Sequence, residues 1–455
     1  MCKLTTNIMA FCVALTLPLV VSMWVPDTAL SGSLQAAQEE KKEKKYKNAK
    51  TRQRQSVGAK CGKALEKLQV TLEEELWADS LRSLQNIEAS KKTCKSDYEQ
   101  TQIWKFSGYI YYSLDDFPNA IKAYRKVVNG IGTPPEVRLD TRYTLAQLYA
   151  SEEDYVNSAE QLEAWLAEAT IVGADQRYFL AQIYYQLERK RDSLNMVELA
   201  ISDVESRGIL PKERYWGLQR VLYYEKSDYQ TVIAILEKLV KHYPKWSYWK
   251  QLGGMYGERE REIDRLVSTE LVYLNDELKK ESEVMSMAYM YLGAEVPYRA
   301  AKIIDRGMED GIIERSAKNL EVLGTAWYQS RDLDGAVGAL EEASRKADNG
   351  NLQARLAGIY LDLGRDKDAY RAAARAAKKG GVKRPDSNFL VMGNALINLN
   401  CFKDAISAFN KSLKKAKDKK SKKYPRQWIK FAESEGSRLQ KLRDVGLKIR
   451  GCGKG

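Results

Sequence analysis

The sequence predicts an all-α fold, a solenoid of stacked helix hairpins, and three observations predict it. A small residue followed three positions later by an aromatic recurs along the chain at intervals of 33 to 40 residues. Only 10 prolines and 29 glycines punctuate 455 residues, which favours long helices. The chain is 44% hydrophobic and 30% charged, the balance of a folded protein. Its length fits two or three ordinary domains or one long array, and the recurrence selects the array.

Residues 104–135, WKFSGYIYYSLDDFPNAIKAYRKVVNGIGTPP, display the unit. Gly108 and Ala120 are small, so the two helices of the hairpin can approach closely. Trp104, Tyr111 and Tyr124 fill the space toward a neighbouring hairpin. Phe117 opens the second helix after the acidic turn Asp115-Asp116. A hairpin of this kind cannot bury its apolar face alone, so it implies hairpins on either side.

In chain order, residues 1–36 read as a secretion signal or N-terminal anchor. Lys3 gives a positive start, and the uncharged run 8–25 precedes small-residue cleavage candidates near Ser31 and Ala36. Residues 37–60 read as a basic flexible tether, with nine Lys/Arg against three acids in 39–60; its cations fit a contact with an inner-membrane surface. Residues 61–419 hold the array, with segments starting near 61, 101, 139, 174, 213, 246, 281, 317, 350 and 386. The first segment is weak, since only Trp77, Ser80, Leu84 and Ile87 fit. The segment from 246 opens well with Trp249, Leu252-Gly253 and Tyr256, then departs, because Arg265 stands where a small residue belongs. Residues 420–455 read as a Lys-rich linker and a capping helix from about Pro425, with Trp428, Phe431, Leu439, Leu442 and Leu447 as its apolar stripe.

The formal charge of +13 is concentrated at the ends: residues 411–430 carry a net +9, whereas 61–410 carry −5. A nucleic-acid-tracking body would carry a basic stripe along its length, so no nucleic-acid partner is expected. The single histidine, His242, leaves little room for His-based catalysis or a multi-His metal site. No Gly-rich phosphate loop, CxxC, HExxH or GxSxG occurs. No catalytic residue, metal, cofactor or small-molecule substrate is expected, and the chain reads as a non-enzyme.

The eight segments that keep the pattern in register resemble the tetratricopeptide repeat superfamily. The resemblance implies about nine to ten antiparallel hairpins in a right-handed superhelix. Its concave groove would bind a protein or peptide. Family positions 2, 5, 9 and 12 of each first helix, carried onto this sequence, give the groove residues Lys105, Tyr109, Tyr112, Tyr143, Gln147, Tyr178, Gln182, Tyr185, Tyr224, Tyr289, Tyr328 and Asn394. Tyrosine dominates this set and charges are few. Tyrosine suits protein interfaces because it offers a broad apolar face and a hydroxyl. The Lys/Asn clamp for a terminal carboxylate is not assembled, since Lys105 has no Asn four residues on.

Two of six cysteines, Cys2 and Cys12, lie in the signal. Antiparallel helices bring Cys61 toward Cys94 and Cys401 toward Cys452, so two end-pinning disulfides are expected, in an oxidising compartment. The layout is also similar to the periplasmic TPR proteins that accompany TonB–ExbB–ExbD systems, which implies an envelope partner and a role in outer-membrane uptake of iron chelates. An assembly factor for lipopolysaccharide, pili or outer-membrane proteins shares that layout. A helical-repeat cell-wall enzyme is the rival from another class; it needs a buried acid, for which Glu321 is the candidate.

Overall fold

The computed structural model describes residues 55–90, 92–448 and 450–453. The expected signal and most of the tether lie outside them. Residues from Val57 onward form one compact unit, and among the described residues there are 21 helices and no strand.

Ten consecutive hairpins account for the first twenty helices. Hairpins 1 to 3 pair α1 (Ala59–Glu73) with α2 (Trp77–Ala89), α3 (Asp97–Ser113) with α4 (Phe117–Asn129), and α5 (Pro135–Ser151) with α6 (Tyr155–Glu168). Hairpins 4 to 6 pair α7 (Ala174–Gln186) with α8 (Lys190–Ser206), α9 (Glu213–Glu225) with α10 (Tyr229–His242), and α11 (Trp246–Glu258) with α12 (Glu262–Leu274). Hairpins 7 and 8 pair α13 (Glu281–Gly293) with α14 (Pro297–Glu309), and α15 (Ala317–Gln329) with α16 (Leu333–Lys346). Hairpins 9 and 10 pair α17 (Asn351–Asp362) with α18 (Asp366–Lys379), and α19 (Pro385–Asn398) with α20 (Phe402–Lys415). The last helix, α21 (Lys419–Asp444), covers the end of the stack.

One turn closes all ten hairpins. The residue two before each second helix has positive φ: Glu75, Asp115, Glu153, Glu188, Ser227, Glu260, Glu295, Arg331, Gly364 and Asn400. The next backbone N–H reaches back to the carbonyl five residues earlier, as in Asp116 to Tyr111 at 2.8 Å and Arg365 to Tyr360 at 2.8 Å. This helix stop satisfies carbonyls that would otherwise lack a partner. Glycine is its usual residue, yet only Gly364 is one, so nine turns bear the ~1–2 kcal/mol left-handed penalty of an L-residue. Asp116, Asp154, Asp228 and Asp332 then cap the second helices by accepting an N–H three residues on.

Within the hairpins the small residues do the work expected of them. A Cβ at Gly108 would lie 2.6 Å from the Tyr124 ring, and one at Gly324 would lie 2.5 Å from Leu340. Between hairpins, tyrosines at the end of one first helix donate to glutamates on the preceding second helix. Tyr184 reaches Glu163 at 2.9 Å, Tyr223 reaches Glu198 at 2.5 Å and Tyr256 reaches Glu237 at 3.0 Å; Tyr360 pairs with Glu341 in the same way. Arg189, Arg261 and Arg365 lie over the rings of Tyr184, Tyr256 and Tyr360. A recurring hydrogen bond thus joins the neighbouring apolar cores at hairpin boundaries.

Several boundaries differ from those the sequence suggests. α3 starts at Asp97 and α5 at Pro135, earlier than 101 and 139, because the Ser96–Glu99 capping box and a Pro in the first turn begin those helices sooner. The weak first segment is a full hairpin, in which Leu68 and Leu84 are buried and the buried Ser80 donates to Thr71 at 2.8 Å. Residues 420–423 are helical, and Pro425 sits inside α21 and is buried. An interior proline forfeits one helix hydrogen bond; the reciprocal Asp418–Ser421 cap supports the turns before it. Cys61–Cys94 and Cys401–Cys452 are disulfides, one at each end of the array. Among the described residues no helix is long and apolar enough to cross a membrane.

Candidate protein-binding groove

The candidate wall consists of the solvent-facing sides of the first helices. Contacts between successive first helices join these faces. Tyr178 on α7 packs on Tyr215 of α9 at 5.0 Å. Asp175 on α7 pairs with Arg214 of α9 and, at 2.7 Å, with Lys212. Lys250 on α11 meets Glu283 of α13 at 3.3 Å, and Arg355 on α17 donates to Thr325 of α15 at 2.8 Å.

The sequence-selected residues divide into three groups. Lys105, Tyr109, Gln147, Tyr224 and Tyr289 are exposed, with about half the surface of each of the three tyrosines open. Tyr112, Tyr143, Gln182, Tyr185, Tyr328 and Asn394 are half-buried. Tyr178 is 7% exposed and is withdrawn from the wall, because it is covered by Tyr215 and by the Arg214 guanidinium 5.2 Å from its ring centre. Tyr143 is engaged within the stack by Trp165 and Phe179. The Tyr185 hydroxyl is taken by Glu225 at 2.8 Å; burial and that bond push its pKa up to about 12, so it stays a neutral donor.

The expectation of few charges fails between hairpins 4 and 7. There Asp175 pairs with Arg214 and Lys212, Glu225 with Lys190 of α8, and Lys250 with Glu283. Burial works to raise the Asp175 carboxyl, but hydrogen bonds from Lys212, Tyr215 and Arg214 outweigh it and hold the pKa at about 2. The depressed value means that this cluster supports the fold above the ordinary Asp range of ~3.9, and that the support is lost as pH falls toward 2. Sequence reasoning missed these pairs because they join successive hairpins, as with the 39 residues that separate Asp175 and Arg214.

A second feature was also missed. A cleft of about 280 Å³ opens between α17 and α19, lined by Arg355, Lys383, Arg384, Ser387 and Asn388 among others. Asn388 is buried; its amide donates to the Ala373 carbonyl at 2.9 Å, and its Oδ1 has no partner among the described residues. The sequence signal was the Lys383-Arg384 pair before Pro385. Three cations around one cleft suit an acidic side chain of a bound polypeptide.

Glycines open the wall elsewhere. Gly217, Gly254 and Gly358 stand in first helices, and a Cβ at each would meet nothing within 4 Å. Helix-interior glycine costs roughly 0.5–1 kcal/mol relative to alanine, and no packing among the described residues calls for it at these places. A docked chain can approach the backbone closely there. Glu321, the acid required by an enzymatic reading, is exposed on α15.

The sequence matches no protein-family model and no curated protein. Among solved structures, the Naa15/Naa10 complex bound to HypK-THB is similar at 11% identity over 86% of this chain and 69% of that one, with a TM-score of 0.41. A tetratricopeptide repeat protein from Parabacteroides merdae matches at 12% identity over 65% and 98%, with a TM-score of 0.25. The TPR2AB domain of yeast Sti1 in complex with pHSP90 matches at 14% identity over 57% and 98%, with a TM-score of 0.27. Scores this low leave the assignment to the chain's own geometry. Ten hairpins in one register, with small residues at the helix crossings and aromatics at the hairpin boundaries, make this chain an all-α solenoid of stacked helix hairpins.

Proposed function

We propose that the chain is a non-catalytic scaffold that binds an envelope protein along the first-helix wall. The observation that carries the reading is the set of exposed tyrosines, Tyr109, Tyr224 and Tyr289, on a surface uncovered among the described residues. The open glycines and the basic cleft at Arg355, Lys383 and Arg384 support the same use. Two disulfides support an oxidising compartment. With the secretion signal read at residues 1–36, that compartment is the periplasm, and the basic 39–60 segment would lie against the inner membrane. Within that setting the overall layout favours a component of a TonB–ExbB–ExbD system as partner, in outer-membrane uptake of iron chelates. A cell-wall enzyme would need a desolvated acid, and the exposure of Glu321 does not favour it.

The test is photocrosslinking in intact cells from probes at Tyr109 and Tyr289, with Lys238 on α10 as the off-wall control. The expected result is one envelope protein captured from both wall positions and not from the control. Capture of a TonB-like or ExbB-like protein supports the transport reading. Capture of a lipopolysaccharide, pilus or outer-membrane-protein assembly factor replaces that reading and leaves the scaffold intact. No adduct at either wall position, or equal capture at the control, overturns the scaffold reading.

A further inference from the structure

The terminal helix α21 has two unlike faces. Its inner face seals hairpin 10: Pro425 and Ala432 are buried, Trp428 stacks on Phe409 at 6.1 Å, and Gly436 lies against Phe402. The Cys401–Cys452 disulfide ties the following residues back to the start of α20. This is the task of a cap, and it uses one side of the helix.

Among the described residues nothing covers the other side. Lys419, Lys420, Lys423, Arg426 and Lys430 are exposed on it. Among the described residues none of these five forms an ion pair. The nearby acid, Asp418, is occupied in capping the helix. Beside these cations stand two large rings, Tyr424 at 56% exposed and Phe431 at 45%. Lys420, Tyr424 and Phe431 are spaced by four and then seven residues, which places them on one flank of the helix. Phe431 touches Trp428 edge-on at 5.5 Å, so the outer aromatic flank is backed by the capping contact.

We propose that this outer face of α21 docks on an anionic phospholipid surface, laying the C-terminal end of the solenoid against a membrane. The chemistry is that of an interfacial helix: cations reach lipid phosphates while aromatic rings enter the headgroup boundary. Charge complementarity selects an anionic surface, because 411–430 carries +9 while the array carries −5. The same distribution selects lipid over nucleic acid. A polyanion lying along the array would meet net negative charge, whereas a planar bilayer meets only the terminal helix. Tyr424 and Phe431 add the apolar contact that a duplex backbone does not offer. The docking stands apart from the groove and leaves the first-helix wall free.

The experiment is hydrogen–deuterium exchange of the full chain with phosphatidylglycerol-containing vesicles, with phosphatidylcholine vesicles, and with a labelled duplex oligonucleotide. Reading exchange by segment separates α21 from the basic residues 39–54, which also attract anionic lipid. The expected result is protection of 419–444 by the phosphatidylglycerol vesicles alone, weakened at high salt. The combined substitution Lys420→Gln, Lys423→Gln, Arg426→Gln and Lys430→Gln alters exposed groups only. It is expected to lower the vesicle affinity read from that protection by on the order of 1,000-fold, at roughly 1 kcal/mol for each of four cations near the surface. An unchanged helical spectrum and an intact Cys401–Cys452 bond confirm its folding. Phe431→Ser is expected to weaken affinity by about tenfold with the charge intact. Equal protection on phosphatidylcholine, no protection of α21, or tighter protection by the oligonucleotide than by vesicles overturns the proposal.

Discussion

Hairpins 10 and 6 share a register and differ in how their helices meet. In hairpin 10 a large side chain seats on a glycine: a Cβ at Gly393 would fall 2.3 Å from the Phe409 ring, and Ala405 is fully buried beneath. In hairpin 6 the equivalent glycine, Gly253, faces Thr269 Oγ1 at 3.3 Å from its would-be Cβ, and Arg265 replaces the alanine. The arginine is accommodated because α11 supplies another glycine, Gly257, whose Cβ would meet the Arg265 side chain at 3.2 Å. Small residues on α11 therefore offset a large one on α12, and the hairpin keeps its place in the stack. The surface bears a consequence. α12 exposes Ile263, Val267 and Leu274, which share one face, where α16 and α18 present charged residues and glycine. The comparison teaches that the repeat specifies a crossing distance and that more than one residue pair can meet it.

The contrast can be broken from the hairpin 10 side first. Replacing Cys401 and Cys452 with serine opens a loop of 51 residues, and the expected loss is about 4 kcal/mol in the loop-entropy account. Segment-resolved hydrogen exchange should place that loss in α19–α21 and leave hairpin 6 unchanged. Uniform loosening of the whole array would show that the ends are not independent. Gly393→Val comes next, at about 2–3 kcal/mol, because the added carbons must displace a buried ring; denaturant titration of the purified protein measures it. An unchanged midpoint would mean that Phe409 has room to move.

Hairpin 6 should respond with the opposite sign. Gly254→Ala adds a methyl where nothing lies within 4 Å, so it is expected to stabilise by about 0.5–1 kcal/mol. A loss of stability on this change would reveal packing that the geometry lacks. The smallest expected effect is that of Val267→Lys on the exposed stripe, within about 0.5 kcal/mol of neutral. A cost well beyond that would place the stripe inside an assembly.

The same contrast explains what was legible. Gly324 and Gly393 announced themselves because a tight crossing admits only small residues, and that requirement is local and periodic. The turns were harder. Glu75, Glu153 and Glu188 hold left-handed backbone that composition assigns to glycine, and what secures them is a hydrogen bond back into the preceding helix. Tyr178 and Tyr224 were both drawn from groove positions of the repeat, yet one is buried and the other open. The difference is Arg214 and Tyr215, which arrive from the next hairpin. The basic cleft depends on the loop before Pro385 folding toward α17, which no spacing encodes.

By itself the sequence determined the repeat, an array of about nine to ten hairpins, the positions that had to be small or aromatic, and the concentration of positive charge at the two ends. These follow from side-chain volume and charge, which each residue carries wherever it sits. Tertiary structure alone decided which tyrosines remain open, which carboxylates are paired, and which side of α21 is left uncovered. Those outcomes belong to pairs of residues tens of positions apart, brought together when each hairpin is laid on the next.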